Sequence, residues 1–412
     1  MQEAVLRSFH PEQDREDAHR IWLELGWLQA GQEEVLDLFL AGADAEVAEI
    51  EGRAECLVLM TPGTLRYLGQ DLTLCGVTGV TTSLVGRKQG LAGRLTARAV
   101  ARQAAQGAQV AGLGMFEQGF YNQLGFGTGS YEHFVNVDPA WLKPRGKHRT
   151  PRRLTPEDWQ AVHAGRLKRR RGHGACSITP ATFTRGEMVG TRGGFGLGYF
   201  DKDELTHHFW CKAPPDQELN RCKVLWLCYR STEQLHELLS LLNSLGDQVR
   251  VLSLQEPPGI QLQDLIDRPF QLQELSEGSK HESRISATAY QQLRICDLSA
   301  CVERTVLDTG RKPLTFTLDL HDPIAGFLPA AEPWRGIAGV YTVTLGQRSA
   351  AEPRPDSRLP RLEASAGAFS RLWLGVASAY SLAATDELHA PAALLEALES
   401  IRLPRPHFDW NY

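Results

Sequence analysis

Arg87-Lys88-Gln89-Gly90-Leu91-Ala92 joins two cations to a glycine and fits the pattern R/Q-x-x-G-x-G/A. It follows a β-branched run, Leu74–Ser83 (LCGVTGVTTS), and precedes a stretch of helical spacing. Such a junction binds anions: successive backbone N–H groups and the positive helix end face a pyrophosphate. Gly90 lets the backbone approach closely, and the small Ala92 keeps the first turn clear. The same six residues also describe an ordinary glycine loop ahead of an amphipathic helix. What favours the anion site is context, since a strand precedes the loop and a second, Gln109–Phe116, follows the helix.

Two further regions carry chemistry. In Leu113–Gly127, LGMFEQGFYNQLGFG, Tyr121 offers a phenol with a pKa of ~10, a group able to hold or give a proton. The plain alternative is an aromatic packing residue in a glycine-rich turn. The chain ends PRPHFDWNY, where Phe408, Trp410 and Tyr412 alternate. Exposing each would forfeit ~1.5–3 kcal/mol of burial, and Pro404 and Pro406 stiffen the approach, so a docked tail is expected. A chain-end carboxylate at ~3.5 is a weak base unless burial raises it.

The cysteines and histidines read as structural. The eight cysteines include no C-x-x-C pair, and no suitably spaced histidine joins Cys296 and Cys301. Alternation would put Cys222 and Cys228 on one strand face, and His207 and His208 on opposite faces. No metal is expected.

The elements that position these groups follow from periodicity. A strand at Val5–Ser8, a helix over Glu12–Leu28 and short strands at Glu46–Glu51, Ala54–Thr61 and Thr64–Leu68 suggest a meander before Leu74–Ser83. Leu91, Leu95 and Ala99 share one face of the next helix, and Gly107 stops it. After a Pro/Arg-rich linker, 144–153, the order recurs: a helix over Thr155–Arg170, strands in Phe195–Lys212 and at Val224–Tyr229, a helix Ser231–Leu245 with a Ser231/Gln234 capping box, and a strand Val249–Leu254. This is the mark of an internal duplication. From Tyr290 the pattern changes to alternating strands (Leu314 to Leu320, Tyr341 to Leu345), a loop 346–361, and helices near Ala368–Gly375 and Pro391–Ile401. The fold class is α+β.

Length and charge bound the rest. At 412 residues the simplest division is three domains, expected at 1–145, 146–288 and 289–412. A net charge of −5 argues against a phosphate-backbone binder such as a nucleic-acid protein. No apolar run is long enough to span a membrane and no secretory leader opens the chain, so a cytoplasmic address is expected.

The loop pattern and its position resemble the GNAT superfamily of acyl-CoA N-acyltransferases. Leu113–Gly127 is similar to the L-x-x-S-E-x-x-I-Y-x-R-F-G-Y-G stretch of the Eis (enhanced intracellular survival) acetyltransferases. The resemblance implies two tandem GNAT-like domains, the second without cofactor, and a C-terminal sterol-carrier-like domain. It implies acetyl-CoA as co-substrate, a primary amine acceptor (aminoglycoside, polyamine or lysine-like) and a homohexamer. By the same resemblance Val80, Thr81 and Thr82 pair with the pantetheine amides and Arg87 to Gly93 form the pyrophosphate loop. Phe116 and Glu117 meet the cofactor, Tyr121 is the general acid, and the Tyr412 carboxylate is the general base. Phe116 stands in place of the family's Ser, Gln123 in place of Arg, and Leu124 and Phe126 in place of aromatic partners. Glu117, Asp409 and Glu33 are candidates for an acidic acceptor cleft. The second unit should not bind CoA, because its helix starts YRSTEQL, without glycine and with Glu233 in the first turn. The basic run Arg166 to Arg171 is expected to be a solvated helix end or a subunit contact. The alternative functions are a non-catalytic acyl-CoA or lipid-binding protein and an assembly module.

Overall fold

The computed structural model describes residues 4–212, 221–269, 283–307 and 312–412. The first elements are β1 (Val5–Ser8), α1 (Pro11–Glu24), α2 (Glu33–Leu40), β2 (Asp44–Ile50), β3 (Arg53–Tyr67), β4 (Gln70–Thr82), α3 (Leu91–Ala105), β5 (Val110–Gly114), β6 (Gly127–Thr128) and β7 (Glu132–Val137). Strands β1 to β4 form the expected antiparallel meander, and β5 returns parallel to β4 after α3. Leu91, Leu95 and Ala99 are all buried against the sheet. Strand β3 runs unbroken through Thr61-Pro62-Gly63, where the sequence predicts two strands. The reason is a neighbour from far along the chain: β9 (below) pairs at Gly63–Leu65, and a side chain on Gly63 would lie 2.4 Å from the Ser177 carbonyl.

A second set follows: β8 (Arg152–Leu154), α4 (Trp159–Leu167), β9 (Cys176–Ile178), α5 (Ala181–Gly190), β10 (Gly194–Asp201), β11 (Glu204–Lys212), β12 (Arg221–Cys228), α6 (Thr232–Asn243), β13 (Val251–Gln255), β14 (Arg284–Thr288) and β15 (Gln291–Ile295). The strand–helix–strand order of β12, α6 and β13 repeats that of β4, α3 and β5, again with the two strands parallel. His207 and His208 do face opposite sides: His207 contacts Glu237 of α6 at 3.0 Å, whereas His208 lies against Gly165 of α4. Cys222 and Cys228 do not share a face. Leu225 is an extra residue between the pairs Cys211–Val224 and Trp210–Trp226, and this bulge flips the strand between the two cysteines. All eight thiols are free and buried, and no metal-holding group of side chains occurs among the described residues.

The remaining elements are α7 (Leu298–Glu303), β16 (Leu314–His321), β17 (Gly339–Leu345), β18 (Ala350–Glu352), β19 (Arg361–Ser365), α8 (Ala366–Trp373), α9 (Ala379–Thr385), β20 (Leu388–His389) and α10 (Ala392–Glu399). Strand β18 lies inside the run expected as a loop, because Ala350 to Glu352 extend the ladder of β17. Helices α2, α5 and α9 were not legible in the sequence.

Among the described residues the strands build three sheets, β1-β2-β3-β4-β5-β15-β6 with β9 beside β3, β14-β7-β13-β12-β11-β10-β8, and β18-β17-β16-β19-β20. The first two are interleaved. Strand β7 leaves β6 and enters the second sheet between β13 and β14, while β15 leaves β14 and enters the first between β5 and β6. The third sheet is tied on by a fully buried ion pair, Arg294 to Asp322 at 2.6 Å, and by Tyr67, whose hydroxyl donates to the Trp373 carbonyl at 3.0 Å. No helix among the described residues is long and apolar enough to cross a membrane.

Candidate active site

Strand β4 carries the first wall. Its pairing with β5 ends at Gly76–Gly112, so from Val77 to Thr82 the edge that faces β5 has no strand partner. A bulge drives the divergence: Thr78 pairs with Leu59 and Thr81 with Leu57, leaving one extra residue on β4, with Gly79 at φ +60°. Only glycine adopts that backbone readily, and any side chain there would meet Leu59 at 2.7 Å. Val80, Thr81 and Thr82 then line a cleft of about 570 Å³.

The loop between β4 and α3 is pinned at its base. The Ser83 N–H donates to the Glu55 carbonyl at 2.9 Å and its hydroxyl donates to the Glu55 carboxylate, which Arg20 holds at 3.2 Å. Beyond it Lys88 (φ +62°) and Gly90 (φ +70°) are left-handed, and Gly90 is the N-cap residue of α3. Left-handed residues in such a turn make the anion-binding concavities called nests. Open space surrounds the position of a Cβ on Gly90. Arg87 and Lys88 line the cleft and make no ion pair with any described residue. The first turn of α3 holds no acid. Leu91, Ala92 and Gly93 complete this wall, whereas Gln89 folds back, its amide donating to the Val85 carbonyl at 2.9 Å.

Phe116, Glu117 and Tyr121 form the opposite side. Phe116 is 71% exposed, and its ring leans on Trp27 at 5.3 Å. Tyr121 opens a single 3-10 turn, Tyr121–Leu124, and is buried. Burial, then the neighbouring Tyr290, pushes its phenol up to about 12, so the hydroxyl stays protonated throughout the physiological range.

The chain end is docked, as its aromatics demand. Ser130 donates to the Pro406 carbonyl at 2.5 Å, the His407 N–H to the His173 carbonyl at 2.8 Å, and Gln255 to the Phe408 carbonyl at 2.6 Å. Arg169 grips Asp409 through two bonds of 2.8 and 2.7 Å, and Arg166 lies 3.6 Å over the Trp410 ring. The Tyr412 ring covers two glycines where β4 and β5 part. A Cβ on Gly76 would stand 3.1 Å from that ring, and one on Gly112 2.5 Å from its hydroxyl. Tyr412 is thus seated at the divergence of the strands rather than in the cleft wall.

The basic run needs correction. Arg166 and Arg169 are almost fully buried, and Arg171 reaches Asp71 at 3.0 Å; Lys168 and Arg170 are exposed, and Lys168 pairs with Glu204 at 2.8 Å. These arginines are clamps for the tail and for α5, through Arg166 to Glu187, rather than a solvated helix end. Their spacing on α4 and the turn after it gave no hint of partners more than 200 residues away.

A second cavity, of about 330 Å³, adjoins the cleft, and Trp27 lines both. Asp409 lies in this cavity and Glu117 in the cleft, but Glu33 sits in the first turn of α2, outside both. The sequence missed Trp27, Glu55, Arg166 and Gln255 as contributors. The one available signal was the glycines at 76 and 112 inside strands, which mark a close approach.

In the second unit the corresponding helix end is closed. Only Tyr229 to Ser231 separate β12 from α6, and Ser231 caps it by accepting from the Gln234 N–H at 3.3 Å. Gln234 answers by accepting from the Arg230 N–H at 2.8 Å, and Glu233 occupies the first turn.

Residues 13–129 match the acetyltransferase (GNAT) domain family. No curated protein matches the sequence. Over the whole chain the fold is that of several solved structures. A conserved protein of unknown function from Enterococcus faecalis, described as a probable N-acyltransferase, aligns with TM-score 0.79, 15% identity and full coverage of both chains. A GCN5-related N-acetyltransferase from Anabaena variabilis aligns at 0.78 and 13%, and Eis1 from Mycobacterium abscessus at 0.76 and 15%, each also over the full length of both chains. At these identities the likeness is one of fold. Residues 13–129, in the first sheet, thus carry a domain of the GNAT acetyltransferase kind.

Proposed function

We propose that this GNAT acetyltransferase moves an acetyl group from acetyl-CoA directly to a primary amine. The observation that carries the reading is the cleft itself. Unpaired Arg87 and Lys88, a helix N-terminus opened by left-handed Gly90, and the unpaired edge of β4 line one side, and Tyr121 lies opposite. These features fit the three parts of the co-substrate: pyrophosphate at residues 87–93, pantetheine amides along Val80–Thr82, and the thioester towards Tyr121.

In this reading the transfer needs three things from the chain. The amine must be neutral to attack, the sulfur must receive a proton as it departs, and water must be kept out. Tyr121, protonated at every physiological pH, hydrogen-bonds the departing sulfur and supplies the proton. The Tyr412 carboxylate, carried to the strand divergence by its ring, takes the amine proton. Measuring acetyl-CoA binding and CoA release with wild type and Tyr121→Phe tests this. Binding kept with turnover reduced ~10²–10⁴-fold is expected, and equal turnover in both would reject Tyr121.

A second reading is favoured by a separate cavity of about 370 Å³ behind α8 and α10, lined by Phe316, Leu345, Phe369 and Trp373, with exposed Arg402 and Arg405 at its rim. It would make the third unit, sterol-carrier-like by resemblance, a holder of apolar ligands, and saturable fatty-acid binding without amine turnover would favour it over catalysis.

A further inference from the structure

The acceptor cavity beside the cleft is aromatic and electrically balanced. Trp22 and Phe39 stand on one side with Trp27, and Trp226 and Trp410 on the other. Trp27 and Phe116, both exposed, sit in contact at the boundary with the cofactor cleft. Three charged side chains line the cavity, Arg166, Glu187 and Asp409. Both carboxylates are already engaged, Glu187 by Arg166 and Asp409 by Arg169. Two cations therefore cancel the two side-chain anions, and no side-chain carboxylate lining the cavity is left to neutralise an ammonium group of the acceptor.

The cation seat is also taken. The Arg166 guanidinium stacks 3.6 Å from the Trp410 ring centroid and 4.1 Å from that of Trp226, so these indole faces already hold a cation. What remains open to a ligand is ring surface with neutral polar groups, Thr191, Gln255 and Asn411, beside it. A polycation entering here would lose hydration at several charges and meet a guanidinium, both of which oppose binding. A single amine on an apolar body loses little. Desolvation favours its neutral form, and that is the form that attacks the thioester. The pocket thus does part of the deprotonation that an acidic cleft leaves to a base.

Resting on the N-acetyltransferase reading, we infer that the acceptor is a monoamine carried on an aryl or similarly apolar group, and not a polyamine or an aminoglycoside. The transfer balances without further reactants: the amine nitrogen bonds to the acetyl carbon, the carbon–sulfur bond breaks, and the amine proton is lost as CoA sulfur gains one.

The test is a CoA-release assay on the full chain at fixed acetyl-CoA, with 2-phenylethylamine, spermidine and an aminoglycoside as acceptors. A kcat/KM for 2-phenylethylamine at least about tenfold above either polycation is expected. In Trp27→Ala, assayed at saturating acetyl-CoA because Trp27 also lines the cofactor cleft, KM for 2-phenylethylamine should rise about tenfold with kcat changing far less; Trp27 is partly exposed, so its loss leaves the core intact. Efficient transfer with spermidine or the aminoglycoside preferred overturns the acceptor class while leaving the N-acetyltransferase reading in place. An unchanged KM in Trp27→Ala overturns the aromatic wall. Acetyl-CoA binding with no transfer to any of the three amines overturns both the inference and the reading on which it rests.

Discussion

At Gly90 the backbone sits at φ +70° with open space where a Cβ would stand, so the position is strained for other residues without being crowded. Gly90→Glu adds a negative charge to the anion seat. Acetyl-CoA affinity by calorimetry should be lost, while circular dichroism and thermal melting stay near wild type, since the strain is only ~1–2 kcal/mol. Glu132 makes a different prediction. It is 2% exposed, one carboxylate oxygen has no partner, and burial, then the charge of Asp409, pushes it up to about 8 from 4.5. Between those values the folded chain holds a proton that the unfolded chain has released. Stability from this group is therefore full below about 4.5 and is lost as pH rises through 8, by an amount on the order of a few kcal/mol. Glu132→Gln should melt like wild type at pH 5 and at a higher temperature than wild type at pH 8.5. A variant less stable at pH 8.5 would mean that the carboxylate is favourably solvated where it stands.

Helix α3 and helix α6 begin in opposite ways, and the difference makes a prediction about how many co-substrates the chain takes. The first begins at a glycine with two free cations ahead of it, and the second behind a three-residue connection whose side chains already satisfy its end, with an acid in the first turn. Titration should give one acetyl-CoA per chain, and a stoichiometry of two would show that α6 opens. The tail offers a second test at this scale. Gly112→Ala puts a methyl 2.5 Å from the Tyr412 hydroxyl and should displace the ring, lowering turnover about tenfold or more. Tyr412→Phe alone should keep most activity, because among the described residues that hydroxyl has one hydrogen-bond partner, Cys176 at 3.9 Å. Combined with Gly112→Ala it should recover part of the loss, since the clashing oxygen is gone. Strict additivity of the two changes would place the ring's seat elsewhere.

Over the whole molecule, the candidate active site is assembled from parts distant in sequence. Strand β15 brings Tyr290 over Gly114 at the end of β5, α4 and the turn after it supply the arginines, and the last residues return to the first sheet. Because the tail is gripped at Pro406, His407, Phe408, Asp409 and Asn411, the position of the chain end is set by the entire fold. Appending a few residues after Tyr412 should leave acetyl-CoA affinity unchanged and reduce transfer by ~10²–10⁴-fold if the carboxylate takes the amine proton. Full activity in the extended chain would assign that proton to another acceptor and leave the tail as a packing element.

Local chemistry was what the sequence by itself determined. The β-branched run, the glycine loop and the i, i+4 apolar stripe specify β4, the loop and α3 because each rests on neighbours within a few residues. Ser231 and Gln234 specify their cap for the same reason. The alternating aromatics at 408, 410 and 412 show that the tail must bury itself without saying where. Tertiary structure alone decided the rest. That Arg166 and Arg169 face inward, that Pro62 and Gly63 continue a strand, and that β7 and β15 change sheets all depend on partners far away in the chain. Neither periodicity nor charge pattern encodes such partners, because burial and ion pairing are properties of the packed molecule. The cavity proposed for the acceptor belongs to this second kind. Asp409 reads along the chain as a candidate for an acidic cleft, and only packing reveals Arg169 already bound to it.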